Sequence, residues 1–420
     1  MSDLNFAGQL QIDAIDWIQP NGIALDIREH FQQITIYEDM FAPFMTGNIV
    51  MRDTIDIPNL YLRTGIDLLR IRVLTPGIED KYVIDKYFHL YKMDDRTEVS
   101  DRTLTYILHF ISAENIQDQA NKIARTFKGS AEDIAEIIRT QYLQSDIKMN
   151  VDKTSNIIQY TSNYWIPTKN LMYIAERAIG SGNLPSYLFY ENRDGLNLKE
   201  MTSFADKDVP LMQSWSANDY MADVNDDGQV IRDPMKDYQA VKDFSIDVGF
   251  DYMKDASSGL IKTRLVSYDF ITRQYFDRTA NILDNELPIL NEQRMYNDGV
   301  IAASGAKLVT GFSSFDLYDG SGYNSSAVNS IHKRNVIMRA YTQHKVELTV
   351  IGRTDYTVGK KVWFDSNKVR PFDKTSSVNE IYDNTVSGYW ITSAVRHIFG
   401  RDNYHDCKVE LIRDSIQKAT

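Results

Sequence analysis

What most constrains this chain is a pattern of alternating apolar and polar residues that occurs twice, with similar punctuation. In the first occurrence, Gln33 to Ser112, "ITIYEDMFAPFMTGNIVMRDT" reads as a strand, a turn containing Pro43 and Gly47, and a second strand. Ile34, Ile36, Ile49 and Met51 occupy alternate positions in its arms and share one face. "RTGIDLLRIRVL" sets Leu69, Ile71 and Val73 against Arg70 and Arg72. "KYFHLYKMDDRTEVSDRTLTYILHFIS" supplies two more strands across a charged turn. With the opening "QLQIDAI", this is a meander of about six strands, enough to curl into a small barrel.

The pattern returns with "FSIDVGFDYMKDASSGLIKTRLVSYDF" and closes with "GYWITSAVRHIFGRDNYHDCKVELIRDS". Taken in order, "FMTGNIVMRDT" has a counterpart in "ASSGLIKTRLVSYD", and "RTGIDLLRIRV" in "TVGKKVWFDS". "KYFHLYKMDD…LTYILHFIS" likewise matches the final hairpin. Self-similarity of this kind predicts an internal duplication. Gly65 and Gly359 precede matching strands and are expected to let the chain turn corresponding barrel corners.

Between the two β regions the period changes. "ENIQDQANKIARTF" places Ile116, Ala120, Ile123 and Phe127 at helical spacing. Ser130 is a predicted N-cap for "AEDIAEIIRTQYL", and Pro167 opens a third helix that stops at Gly180. "SYLFYENRDGLNLKEM" is a predicted hairpin turning at Asp194-Gly195. A further helix runs through Val328, Ile331, Asn335, Met338 and Tyr341. The expected fold is mixed and mainly β (α+β), with antiparallel β-barrels at 1–113 and at 238–275 plus 333–420. An α/β domain occupies 114–204, a polar linker or arm 205–237, and an insertion subdomain 276–332.

A 420-residue chain exceeds one ordinary core, and its 43% hydrophobic and 25% charged residues suit a folded protein. The net charge of −12 argues against wrapping nucleic acid, though not against a wall that DNA passes without adhering. Cys407 is the only cysteine, so neither an intrachain disulfide nor a cysteine-based zinc site is expected. "MSDLNFAGQLQIDAIDW" lacks the regions of a secretory signal, and no apolar run reaches the roughly 20 residues of a membrane span.

Candidates for chemistry are few. In "DVNDDGQV", Asp223, Asn225, Asp227 and Gly228 match the first half of a calcium loop, and Val230 sits at its apolar position. The twelfth position is Pro234, which has no side-chain oxygen, so a solvated Asx-rich turn is the plainer alternative. His405 and Cys407 would share a strand face, as an edge-strand surface more readily than a nucleophile pair. Asp94-Asp95 and Asp226-Asp227 are acid pairs of the kind glycosidases use, but adjacent residues on a turn diverge. No phosphate loop, nucleophile elbow or HExxH occurs, so neither an enzyme nor a cofactor is expected. A tail-associated polysaccharide hydrolase remains an alternative, as does a glycan-binding β module using Trp363 and Trp390.

The layout resembles the central baseplate hub protein of contractile, T-even-like phages and, more distantly, the spike-hub proteins of contractile injection machines. The resemblance rests on "ITIYEDMFAPFMTGNIVMRDT", "YLFYENRDGLNL" and "TVIGRTDYTVGKKVWFD", and spans nearly the whole chain in element order. It implies a virion protein assembled in the host cytoplasm. It further implies a homotrimeric ring whose two tube-like barrels per chain adapt a hexameric tail tube to a trimeric central spike, around a channel for DNA. Wedge proteins are further partners the resemblance admits. On this basis Thr35, Tyr37, Asn48, Arg52, Ser245, Asp247, Lys262 and Arg264 are expected toward the channel or a neighbouring subunit. Phe244, Ile246 and Val248 are expected in the second barrel's core.

Overall fold

Strict alternation in the third and fourth strands puts Ile34, Ile36, Ile49 and Met51 on one face, and all four are fully buried. The computed structural model describes residues 4–61, 66–100, 102–180, 182, 184–217, 223–224, 230–231, 234–248, 251–268, 273, 275–283, 288–312, 325–367 and 382–418. The first lobe contains β1 (Gln11–Ile18), β2 (Ala24–Asp26), β3 (Phe31–Asp39), β4 (Thr46–Asp53), the short α1 (Ile57–Tyr61), β5 (Leu68–Leu74), β6 (Ile84–Ser100) and β7 (Thr103–Ser112). Its strands follow the order β3-β4-β7-β6-β5-β1-β2, every pair antiparallel. Trp17, Ile71, Phe88 and Phe110 fill the core beneath.

The next region is α2 (Glu114–Ala120), β8 (Thr126–Gly129), α3 (Ala131–Ile137) running into a π-helical turn (Ile138–Leu143), β9 (Met149–Val151), β10 (Ile158–Thr161), α4 (Pro167–Arg177), β11 (Tyr187–Asn192) and β12 (Gly195–Glu200). Ser130 caps α3 by accepting from the Asp133 N–H, and Pro167 occupies the first turn of α4. The expected helix through Phe127 is shorter: α2 stops at Ala120, and Phe127 enters β8, paired with β10. Ile123 and Phe127 are buried there in strand-like backbone, so packing against Ile158 and Tyr160 overrides a helical spacing.

The remaining elements are β13 (Leu211–Ser216), β14 (Asp223–Val224), β15 (Val230–Ile231), α5 (Pro234–Asp237), β16 (Val241–Val248), α6 (Tyr252–Ser258), β17 (Lys262–Tyr268), β18 (Tyr275–Asn281), α7 (Asp298–Ala303), β19 (Lys307–Phe312), α8 (Ser325–Tyr341), β20 (His344–Ile351), β21 (Lys361–Asp365), β22 (Gly388–Gly400) and β23 (His405–Arg413). Two expectations need correction here, the polar linker and a hairpin expected between "DFSIDVGF" and "GLIKTRL". The stretch expected as a polar linker contributes β13, which pairs parallel with β21 and buries Trp215 completely. β17 does not pair with β16: it forms a separate sheet with β18 and β19, over Leu260, Ile261, Val336 and Ala340. β16 instead pairs with β20, because Val346, Leu348 and Val350 supply the alternating apolar face that it needs.

The two β regions do not form separate sheets. They join in one large curled sheet of 13 strands, ordered β16-β20-β23-β22-β3-β4-β7-β6-β5-β1-β2, with β21 and β13 branching from β22. No pair among the described residues closes this path on itself. Among the described residues, no helix is long and apolar enough to cross a membrane.

Candidate functional site

The sheet repeats its strand order, and every equivalent pair keeps its antiparallel sense except the last, where β1 runs antiparallel to β5 but β13 runs parallel to β21. The first lobe's order β3-β4-β7-β6-β5-β1 recurs in the second as β16-β20-β23-β22-β21-β13, with the strands in the same succession along the chain. Irregularities recur too. A bulge separates Phe31 from Gln33 in β3, and another separates Val241 from Asp243 in β16. The β6–β7 ladder shifts between Leu90 and Lys92, the β22–β23 ladder between Thr392 and Ala394. One-residue bulges are specific features of a strand pair, and their coincidence sets the equivalence from Phe31 along β3 and from Leu90 to Asp94 in β6, beyond which β6–β7 shifts twice more without a counterpart in β22–β23. The expected counterpart of the β4 segment is therefore β20 rather than "ASSGLIKTRLVSYD", whereas β5 matches β21, and β6–β7 match β22–β23.

A seam joins the copies. The first part of β22 pairs with β21, and its second part, Ala394–Gly400, pairs antiparallel with β3, Asp39–Gln33. At this seam Arg396 faces Tyr37, with the guanidinium 5.5 Å from the ring centroid. Glu38 reaches across it, its buried carboxylate accepting from the Thr357 hydroxyl at 2.5 Å and the Val358 N–H at 3.2 Å. Burial pushes this carboxyl up to about 7 despite those two bonds.

Each half of such a seam is left over at the ends of the chain's own sheet. β6 pairs with β5 only through His89, and beyond Leu90 its side away from β7 has no strand partner among the described residues. β16 pairs with β20 alone among them. An open backbone edge is a template for another strand.

The face opposite the cores is polar. A groove across β16, β20, β23, β22 and β3 is lined by Tyr37, Asp243, Ser245, Arg396, Lys408 and Glu410. Of the residues expected to be exposed, Tyr37 and Asn48 are half-buried, while Arg52 and Ser245 are exposed. Thr35 is a correction: it is only 1% exposed and takes a hydrogen bond from the Gln33 amide at 3.2 Å. Phe244 is another, being 37% exposed, on the outer edge strand where one neighbour is missing. Ile246 is half-buried. Asp247 lies on β16 opposite Lys345, and Val248 opposite His344. Lys262 and Arg264 sit on the separate β17 sheet, where Arg264 pairs with Asp277 at 2.5 Å.

Gly359 adopts φ +70° just before β21, and the Tyr190 hydroxyl occupies the place of a Cβ. Gly65 lies outside the described residues, as do Asn225, Asp227, Gly228 and the Asp226-Asp227 pair; only the backbone of Asp223, in β14, is described. The Asp94 carboxylate is held by Lys92 at 2.5 Å and His109 at 3.1 Å. Trp390 is not a surface aromatic: it is buried, donates to the Val386 carbonyl at 3.1 Å and lies under the Arg413 guanidinium. Trp363 packs edge-on against Tyr389.

Sequence reasoning missed one constellation. His405 and Cys407 share a face as expected, but it is the core face, and His397 joins them there. The signal was available in the strand parity: His397, Phe399, His405, Cys407 and Val409 alternate with polar residues across one hairpin.

The chain is thus a twice-repeated β lobe with an α/β insert and a built-in seam. The chain shares the fold of phage-type tail proteins over nearly its whole length. It is similar to a tail protein from Neisseria meningitidis, at 12% identity and TM-score 0.57 over 96% of each chain. It is also similar to the 43 kDa tail protein of prophage MuSo2 from Shewanella oneidensis, at 11% identity and TM-score 0.53 over 96% of this chain and 99% of that one. A looser likeness, TM-score 0.43 at 7% identity over 97% and 77%, is to an E. coli type VI secretion component reported as similar to the T4 tail proteins gp27 and gp5. No protein-family model matches the sequence, and neither does any curated protein.

Proposed function

We propose that this chain is a structural hub of a contractile phage tail baseplate, three copies of which close a ring of six similar β lobes. The observation that carries the proposal is the repeated strand order with one seam made inside the chain and the two halves of a second left open. If every lobe meets the next as β22 meets β3, then β6 of one copy pairs with β16 of the following copy. By the bulge equivalences Asp94 corresponds to Arg396 and Asp247 to Tyr37, so Asp94 would face Asp247 across the subunit boundary. Lys92, which already holds the Asp94 carboxylate, offsets the charge there.

In such a ring each lobe acts as one tube-like barrel wall, threefold in sequence and near sixfold in shape. That geometry adapts a hexameric tail tube on one side to a trimeric central spike on the other, inside the virion's baseplate. The polar face carrying Tyr37, Asn48, Arg52, Ser245 and Asp247 would line a channel for DNA. A chain of net charge −12 suits a wall to which DNA does not adhere. The work is done by surfaces, with no catalytic step.

The test is a cross-link. With Asp94→Cys and Asp247→Cys in one chain, a short bismaleimide should yield covalent dimers and trimers, and neither single variant should do so. Monomers only, from a preparation that is trimeric by native mass spectrometry, would overturn the proposed seam. Monomers at all concentrations would overturn the ring.

A further inference from the structure

Where β22 and β23 face the core, three metal-ligand atoms converge. His397 Nδ1 and His405 Nε2 are 3.1 Å apart, and Cys407 Sγ is 3.2 Å from each. All three side chains are fully buried. Gly352 makes room for the cluster, the His405 ring occupying the place of its absent Cβ.

We propose that His397, His405 and Cys407 bind a zinc ion, which staples the final hairpin at the seam between the two lobes. The spacing suits the ion. Given bonds of about 2.0–2.1 Å to nitrogen and about 2.3 Å to sulfur, tetrahedral ligand atoms stand roughly 3.3–3.6 Å apart. A triangle of sides 3.1, 3.2 and 3.2 Å therefore admits a cation roughly 1 Å above its plane with little adjustment.

Proton accounting favours the cation over a hydrogen-bonded trio. Without metal, the arrangement in which each atom makes one two-centre bond has each donate once around the ring. His397 Nε2 and His405 Nδ1 are then bare acceptors in the interior, and neither has a hydrogen-bond partner. With a cation at the centre, both outer nitrogens carry protons instead. The Glu38 Oε1 atom, also without a hydrogen-bond partner, lies 4.0 Å from His397 Nε2, and a small ring rotation completes a carboxylate–histidine–metal relay.

Binding releases one proton, from the thiol, and leaves the fourth position to a small external donor. The first lobe has no equivalent: Leu104 and Tyr106 stand on β7 where His405 and Cys407 stand on β23, and the β6–β7 ladder shifts again between Asp94 and Thr97, where His397 would have its counterpart. The site belongs to one copy of the repeat.

The test uses the full chain, untagged and purified from zinc-supplemented cells. Elemental analysis should find about one zinc per chain, falling at least tenfold in Cys407→Ser and in His405→Gln. Cobalt added to chelator-stripped protein should give the visible absorption of a tetrahedral thiolate-bound ion, and stripped wild type should melt several degrees lower until zinc is restored. Wild-type protein that takes up no metal, with the same melting temperature before and after chelation, would overturn the site even if the variants do not fold. Stoichiometric copper in preference to zinc would overturn the assignment of the ion.

Discussion

The Glu38 carboxylate and the Thr357 hydroxyl, 319 residues apart in sequence, meet at 2.5 Å across the seam between the two lobes. Both residues are buried, so neither can exchange its partner for water. Thr357→Val keeps the shape and deletes the donor. It is expected to cost about 1–3 kcal/mol in urea unfolding. In the double variant with Glu38→Gln the two losses should not add, because the residues act as one unit. Additive losses would mean that the contact is incidental.

Gly359 is constrained twice, by its positive φ and by the Tyr190 hydroxyl where a side chain would begin. Gly359→Ala is therefore expected to destabilise by about 1–3 kcal/mol. Gly22 serves as the control, for it too has positive φ but nothing within 4 Å of a Cβ. Gly22→Ala should cost less, and the difference measures the Tyr190 contact.

The Arg413 guanidinium is fully buried, 4.0 Å from the centre of the Trp390 ring. It donates to the carbonyls of Val386, Ser387 and Thr385, closing the loop before β22. Arg413→Ala should cost at least about 3 kcal/mol, since it strands several buried acceptors. Arg413→Lys should recover only part, because one ammonium cannot match a planar fork. Chemical denaturation of the three proteins checks the ranking.

His344 supplies a pH signature. Burial, with the Arg413 charge adding to it, holds its pKa down at about 4, below the ordinary 6.5. The folded state therefore prefers the neutral ring. The stability this contributes is complete above about pH 6.5 and is lost as pH falls toward 4. Relative to His344→Gln, wild type should lose up to roughly 3 kcal/mol across that window. Parallel stability curves for the two proteins would contradict the assignment.

Strand parity made much of this fold legible. Ile34, Ile36, Ile49 and Met51 are core residues because alternation has one outcome on a one-sided sheet. Partner choice was harder, since "GLIKTRL" and "KVELTVI" alternate equally well, and only the three-dimensional order assigns β20 to β16. Trp215 was hidden in a largely polar stretch, where one fully buried side chain anchors a strand on β21. The buried triad was missed because His397 meets His405 through the register of a hairpin, which depends on its turn. Residues at the proposed subunit boundary carry no sequence signal at all, for an edge strand awaiting a partner looks like one facing water.

The central claim is that three copies of this chain close a ring of six equivalent lobes. Cryo-electron microscopy of the purified assembly tests it most directly. The expected particle has three times the 48.4 kDa chain mass, about 145 kDa, with threefold symmetry and six superposable sheets around a channel, β6 continuing into β16 at alternate seams. A particle with both edges open, or a ring built through any other pair of strands, would contradict it.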